Sequence, residues 1–427
     1  MRICIFEDQH VRGLEPLTLT RPTADLLCGL TTLGEKQSRY FGATATGHLC
    51  RPLVAELMRA ADPQTNVNDP GWLRAAPTTL VNARWLPPRK SSGGLPVPAT
   101  TGRNLAGSYL GTVEGEVAYA VLDTRLLTAV SPSRLQECLS DWLQSLPMHE
   151  VGGMLLARPW ELIEQNPAQI IQDFEGDVDV AGFHPTGFAV VGPTDRVIIH
   201  PSARIDPMVV ADTTHGPVII GENAIVHAFT RLEGPCFIGP GSVVLGATIR
   251  GGTTIGPQCR IGGEIEASIV LGYSNKYHEG FLGHSYVGEW VNLAAGTHTS
   301  DLRCDYRAIS VPVDGYDVPT GQSKLGAVIG DHTKTGLGVL LDCGSLVGPF
   351  AQILPTGGFT PRAIPGFHRA GPSGIKELTD VDRLLATADT VMRRRGRRLT
   401  AQLDALYRTI SAARLGSPEV LQLRKTA

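Results

Sequence analysis

From about Val197 an aliphatic residue returns at every sixth position, and no other feature limits the fold of this chain as tightly. Ile199 and Ile205 open the series; Ile220, Val226, Leu232, Ile238 and Val244 keep the period, as do Ile249, Ile255 and Ile261. It resumes at Ile329, Thr335, Leu341, Val347 and Ile353, often with glycine just behind the aliphatic position. Sandwich strands alternate at two instead. A sustained period of six predicts a parallel β-helix, in which three six-residue sides close one triangular coil. Each aliphatic residue then points inward onto its equivalent one coil away, and small residues make the corners. The period breaks between Tyr273 and Val287 and again between His298 and Val328. Insertions in such solenoids collect on one face, often the binding face.

The rest of the chain divides around this tract. Residues 1–190 read as a mixed α/β domain, with strands expected at Arg2–Phe6, Thr79–Val81 and Val117–Leu122. Helices are expected at Leu135–Leu146, after Ser131-Pro132, and at Trp160–Phe174. Gly71–Gly111 is rich in Pro, Gly, Ser and Thr and reads as loop-dominated. The β-helix is expected over 191–370 and a helical tail over 371–427, where Leu378–Ala413 has helical spacing and Thr379-x-x-Asp382 a start signal. The tail carries Arg393, Arg394, Arg395, Arg397 and Arg398, a solvated face or a set of phosphate contacts.

Bulk properties exclude several classes. A chain of 427 residues exceeds one ordinary core. A net charge of −3 gives no electrostatic case for a nucleic-acid binder. No apolar run reaches the length of a membrane span, and the N-terminus lacks the apolar core of a signal peptide. The eight cysteines are dispersed without a C-x-x-C pair, as expected of reduced thiols in a cytoplasmic protein.

Ionisable chemistry concentrates in Tyr273–Asp301, YSNKYHEGFLGHSYVGEWVNLAAGTHTSD. Acyl transfer to an amine needs a base titrating near neutrality, and histidine is the natural choice. His278, His284 and His298 all lie in this stretch. Its Ser274–Gly283 and Val291–Thr297 segments resemble the acetyltransferase half of bacterial bifunctional enzymes that make UDP-N-acetylglucosamine. Those enzymes join a uridyltransferase to a glucosamine-1-phosphate N-acetyltransferase, and their S-K-A-G-H-x-x-Y-L-G and V-N-I-G-A-G-T motifs align here without a gap. Still more of the chain resembles a bacterial group of sugar nucleotidyltransferase-like proteins with F-E-D near the start, P-L-T-x-T-R-P next, and S-N-K-x-H-x-G-F-L-G-H-S in the β-helix.

The resemblance implies a left-handed β-helix, acetyl-CoA as substrate and a homotrimer with acetyl-CoA between neighbouring β-helices. It places His278 on the general base, Phe281 on a sugar-contacting Tyr and Asn292 on a sugar-binding Asn. Ala295 falls on an acetyl-CoA contact, and Asp301 replaces an Asn that helps seat acetyl-CoA. Arg307 and Arg250 fall near phosphate-binding cations, and Lys276 is a further phosphate contact or a solvent-exposed lysine. Glu266 stands where the family has a second phosphate-binding Lys, and would repel phosphate.

Near the N-terminus, Leu14–Pro22 resembles the L-x-P-L-T segment of sugar-1-phosphate nucleotidyltransferases, whose glycine-rich loop cradles a triphosphate. Only Gly13 remains of that loop. Arg12, Arg21, Lys36 and Asn82 are the candidate nucleotide or sugar-phosphate contacts, and Asp8 and Asp123, with Glu7, the candidate Mg²⁺ carboxylates. The expected function is therefore acetyl transfer to an amino-sugar phosphate, in UDP-N-acetylglucosamine-type synthesis. Three alternatives stand beside it: an active nucleotidyltransferase with a structural β-helix, a zinc site of the hexapeptide carbonic anhydrase type built from His278, His284 and His298, and a non-catalytic sugar-nucleotide-binding scaffold.

Overall fold

The computed structural model describes residues 1–89, 107–177 and 187–415. Residues 90–106 of the expected loop-rich stretch and 416–427 of the tail lie outside the described residues. The chain forms two compact units, Met1–Leu26 with Thr31–Arg158, and Leu27–Leu30 with Pro159–Ala427. A boundary expected at 190 therefore falls at Arg158, because the helix Pro159–Asp177 packs its Ile170 against Ile198 and Ile219 of the β-helix.

The first unit holds a seven-stranded mixed sheet. In chain order its strands are β1 (Arg2–Phe6), β2 (Ala45–Leu49), β3 (Asn66–Val67), β4 (Thr78–Asn82), β5 (Tyr109–Val113), β6 (Glu116–Leu122) and β7 (Met148–Glu150), arranged in space as β7-β5-β6-β4-β1-β2-β3. β1 runs parallel to β2 and β4, and β6 runs antiparallel to β4 and β5. The central strands are apolar on both sides, as a sheet covered on both faces requires. Cys4, Phe6 and Leu80 face one core while Ile3, Ile5 and Val81 face the other. Within Gly71–Gly111 the described part contains β4 and a short helix at Pro70–Arg74, so that stretch is less loop-like than expected.

The second unit follows the six-residue period. Ile199, Ile220, Ile238, Ile255, Val270, Val287, Ile329, Val347 and Ile364 are paired in parallel, coil upon coil, along one face. Every one of them is buried. Call this face 1. Face 2 carries Ile205, Val226, Val244 and Ile261 inward, and face 3 carries Ala211, Leu232, Ile249, Ile265 and Leu282. The three parallel faces fit a left-handed β-helix.

Two expectations change here. Tyr273–Val287 is not a break, since Asn275–Lys276 pairs with Arg260–Ile261, Phe281–Gly283 with Glu264–Glu266, and Tyr286–Val287 with Ile269–Val270. The coil continues; only its aliphatic identity lapses. The second interruption is a true insertion, in which Tyr286 next pairs with Val328 and the extra chain holds a hairpin, Ser310–Val313 with Tyr316–Pro319. The tail is two helices, Val381–Arg393 and Ala401–Leu415, rather than one. Gly396, at φ +68°, takes up the left-handed turn between them.

Candidate active site

The corner between faces 2 and 3 carries His278. Its chain enters the corner from Asn275–Lys276 and leaves it through Gly280, whose φ of +137° suits only glycine, into Phe281–Gly283. The coil above repeats the turn with Ala294, Ala295 and Gly296, and Gly296 N donates to the Glu279 carbonyl at 2.9 Å. His278 is exposed, with the Tyr277 ring edge-on at 6.0 Å. No side-chain hydrogen bond joins Glu279 to it among the described residues.

Lys276 explains how this turn is held. It occupies the inward position of face 2, stacked on Ile261, and only 4% of it is exposed. Its ammonium reaches the corner from inside, donating to the His278 carbonyl at 2.7 Å and the Gly262 carbonyl at 3.2 Å. Burial pushes its pKa down to about 8. The expected phosphate contact is thus a correction: an ammonium enclosed by the coil and bonded to backbone carbonyls cannot meet a solvent-borne phosphate.

Asn292 lies outward on face 2, between Asn275 and Lys334, and accepts a long hydrogen bond of 3.4 Å from Asn275 Nδ2. Face 3 carries Phe281, paired with Glu264 and half-buried, and its N–H donates to His298 Nδ1 at 3.1 Å. That bond makes Nδ1 the lone-pair nitrogen of His298. Arg250 on the same face is committed to Glu264 at 2.8 Å and approaches Glu266 at 3.8 Å, while Lys324 from the insertion reaches Glu266 at 3.3 Å. Glu266 is therefore neutralised, and so is Arg250.

At the next corner, Asp301 accepts a hydrogen bond from His284 Nδ1 at 2.7 Å, with both side chains mostly buried. The carboxylate fixes the imidazole tautomer and leaves Nε2 as the basic nitrogen. Sequence reasoning left these two residues in unrelated roles, although their spacing of one coil is the signal that pairs them. His278 and His284 stand at opposite edges of face 3, about 10 Å of extended chain apart. Arg307 is in the insertion, exposed and paired with Asp305 at 2.9 Å. The structure thus gathers His278, Lys276, Asn292 and Ala295 around adjacent coils of one corner, Phe281 and Arg250 on the neighbouring face, and Asp301 beyond it.

The first unit places its candidates differently. Asp8 follows β1 and caps the turn Gln9–Leu14 through His10 N at 3.0 Å. Both of its carboxylate oxygens are bonded to Arg84, which is 2% exposed, and Asn82 Nδ2 donates to it at 2.9 Å. Burial pushes the Asp8 carboxyl up, but Arg84 and Asn82 outweigh it and hold it below the usual range. Glu7 is likewise consumed by Arg51 and Thr23.

Asp123 is at the other end of the sheet. Leu122 pairs with Thr78, whereas Asn82 pairs with Phe6 next to Asp8. Asp123 instead caps a short helix and pairs with Arg125 at 3.0 Å. The expected Mg²⁺ pair is therefore corrected: one carboxylate is saturated, the other is remote, and no group of three metal-ligating side chains occurs among the described residues. Gly13 lies against the Ala157 carbonyl, where a Cβ would collide, and that packing alone requires glycine. Arg12 is exposed on its turn, while Arg21 and Lys36 are buried. A cavity of about 500 Å³ lined by residues such as Ile5, Asp25, Thr32, Arg39 and His48 is touched by none of Arg12, Arg21, Lys36 and Asn82.

A nucleotidyltransferase-like α/β unit joined to a left-handed β-helix with a histidine-bearing corner defines a transferase of the hexapeptide class. The family model described as sugar nucleotidyl transferase matches residues 3–177. A bifunctional sugar-1-phosphate nucleotidylyltransferase/acetyltransferase of Sulfurisphaera tokodaii is 36% identical over 148 residues, which span 33% of this chain and 36% of that protein. An uncharacterised protein of Escherichia coli K12 named as the acetyltransferase YaiX is 30% identical over 171 residues, 37% of this chain and 74% of YaiX. The chain belongs to the same family as YaiX. Among solved structures, an Arabidopsis UDP-N-acetylglucosamine acyltransferase overlies 55% of this chain and 88% of its own at 14% identity and a TM-score of 0.26.

Proposed function

We propose that this transferase moves an acetyl group from acetyl-CoA to the amino group of a sugar phosphate or nucleotide sugar, in the synthesis of an N-acetylated nucleotide sugar such as UDP-N-acetylglucosamine. The observation that carries the reading is the exposed His278 on a corner whose carbonyl is pinned from inside by Lys276, with Asn292 and Ala295 on the next coil. His278 takes the proton from the amine. The nitrogen lone pair attacks the thioester carbonyl, the C–N bond forms as the C–S bond breaks, and the thiolate leaves and is protonated. The amino-sugar class rests on the resemblance of Ser274–Gly283 and Val291–Thr297 to the glucosamine-1-phosphate N-acetyltransferases, and the sugar-phosphate class is supported by the Sulfurisphaera relative.

A specific observation favours a second base. His284 has the carboxylate partner that orients and stabilises an imidazolium, which His278 lacks within one chain. Thiol release from acetyl-CoA, measured with a panel of amino-sugar phosphates, separates the two. His278→Ala should lower kcat about 10²–10⁴-fold, the usual weight of a general base, while Asp301→Asn changes it little. The reverse ordering makes His284 the base. Equal rates in wild type and both variants would dismiss acyl transfer at this face.

Nucleotidyl transfer by the first unit finds less support. The Gln9–Leu14 turn spends its N–H groups internally, and the Asp8 carboxylate is held by Arg84. A zinc centre of His278, His284 and His298 also finds less support, since the three lie at a corner, the next corner and the face between, with Nδ1 of two of them engaged. A homotrimer and a cytoplasmic location complete the proposal; no described helix is long and apolar enough to cross a membrane. Light scattering of the purified chain tests the trimer.

A further inference from the structure

Each cation expected to hold the substrate phosphate is already committed: Arg250 to Glu264, Arg307 to Asp305 and Lys276 to two carbonyls. The outward column of face 2 shows the opposite condition. Arg260, Asn275, Asn292 and Lys334 follow one another there, one per coil, in continuous parallel register. At about 4.8 Å per coil the column spans about 14 Å. It runs beside the His278 corner, since Lys276 next to Asn275 turns directly into it.

The turn between the two C-terminal helices lays a fifth group on this column. Arg395 donates from its terminal nitrogen to Asn275 Oδ1 at 2.9 Å, while its Nε is buried without a partner. Arg260 meets only backbone carbonyls, those of Gly241, Gln258 and Cys259, and Lys334 Nζ meets only the His332 carbonyl at 3.1 Å. None of the three cations pairs with a carboxylate among the described residues. Of the acidic groups nearby, Asp331 accepts from Glu289 N and Asp389 pairs with Arg393, while the Glu289 carboxylate acts with Arg260 and Arg395 on the Cys259 thiol without forming a salt bridge to either.

Three half-buried cations without a counter-ion are unfavourable unless an anion joins them. Burial, then the neighbouring Arg260 and Arg394, lower the pKa of Arg395, and burial pushes that of Lys334 down to about 8. Guanidinium forks, an ammonium and amide groups are the donors that recognise phosphoryl oxygens.

We infer that the outer column of face 2, Arg260–Asn275–Asn292–Lys334 closed by Arg395, binds the pyrophosphate group of a substrate. Two substrates of the proposed reaction carry such a group, coenzyme A and a nucleotide-linked acceptor, so the ligand's identity rests on that proposal while the binding of pyrophosphate does not. The site replaces the phosphate contacts that Glu264 and Glu266 take away on face 3.

Calorimetric titration of the full-length protein with inorganic pyrophosphate, coenzyme A and a UDP-sugar tests it without turnover. Wild type should bind pyrophosphate, and Arg395→Met and Lys334→Met should each weaken binding about tenfold, the weight of one charge-assisted hydrogen bond. Tenfold loss for coenzyme A but not the UDP-sugar assigns the site to the donor; the converse assigns it to the acceptor. If Arg395→Met fails to fold, Lys334→Met decides alone, because its only side-chain bond among the described residues is to the His332 carbonyl and no ion pair is lost. Undiminished binding in a folded variant, or no binding of any probe by wild type, overturns the site. Pyrophosphate binding with no acetyl transfer to any acceptor keeps the site and dismisses the reaction.

Discussion

Lys276 is the residue on which local order at the candidate site turns. A lysine in an aliphatic column is unfavourable as a cation, and its depressed pKa measures that cost at about 3 kcal/mol. The unfolded chain holds the proton to about pH 10.4, so between roughly pH 8 and that value it binds more protons than the folded chain. Stability contributed by this position therefore rises with pH through the window. Lys276→Met should be at least as stable as wild type at pH 7, and the difference in Tm should shift in favour of wild type as pH climbs from 8 to 10; a flat difference would refute the buried-cation account. The same variant should lose acetyl transfer at pH 7 through kcat rather than KM, because it frees the His278 carbonyl and touches no ligand.

Arg84 is the counterpart in the first unit. Arg84→Met would leave Asp8 buried and unpaired and should cost about 3–5 kcal/mol by urea denaturation. The Asp8 contribution in wild type is present above pH 4 and lost as acid protonates it below its ordinary range. Asp8 and Asn82 are legible in the sequence as site candidates but Arg84 is not, because nothing local marks an ion pair separated by 76 residues.

Among elements, the corner between faces 1 and 2 determines how the tail attaches. Tyr273, Trp290, His332, Phe350 and Phe367 all adopt positive φ there and stack in order, with centroids 4.3 to 6.2 Å apart. Tyr407 of the last helix, 3% exposed, packs edge-on against His332 and Phe350. Arg397 donates to the Tyr273 hydroxyl at 3.1 Å. Tyr407→Ala should therefore cost about 3–5 kcal/mol in unfolding free energy, as for other buried rings. If the tail were loosely attached, the loss would fall within 0.5 kcal/mol.

The β-helix itself was legible because its period is the inward face: Ile220, Ile238 and Ile255 needed no other information. The aromatic corner was not, since those residues fall outside the six-residue aliphatic positions and scatter among loops when read linearly. Lys276 was misread for a related reason. Its polarity hid the inward phase it continues.

For the whole molecule, the division at Arg158 leaves one exception. Leu27–Leu30 belongs with the second unit, where Leu27 exchanges hydrogen bonds of 3.0 Å with the Tyr286 hydroxyl and Gly29 N donates to Asn166 at 2.7 Å. A fragment of residues 159–427 should accordingly unfold at lower temperature than the same unit in the full chain, because the Tyr286 hydroxyl loses its bonds to Leu27 and Asn166 loses Gly29 N. Equal midpoints in calorimetry would show the four residues to be dispensable. Composition and period had suggested domains joined end to end, since no local signal reports a partner 259 positions away.

That separation also sets an order of events during synthesis. The strand partners of β1, β2 and β4 emerge within the first half of the chain, so the N-terminal sheet can close while translation continues. Leu27–Leu30 must stay open until Tyr286 has left the ribosome. Contacts of such high contact order form slowly, and the second unit stays incomplete until its earliest-made piece is captured.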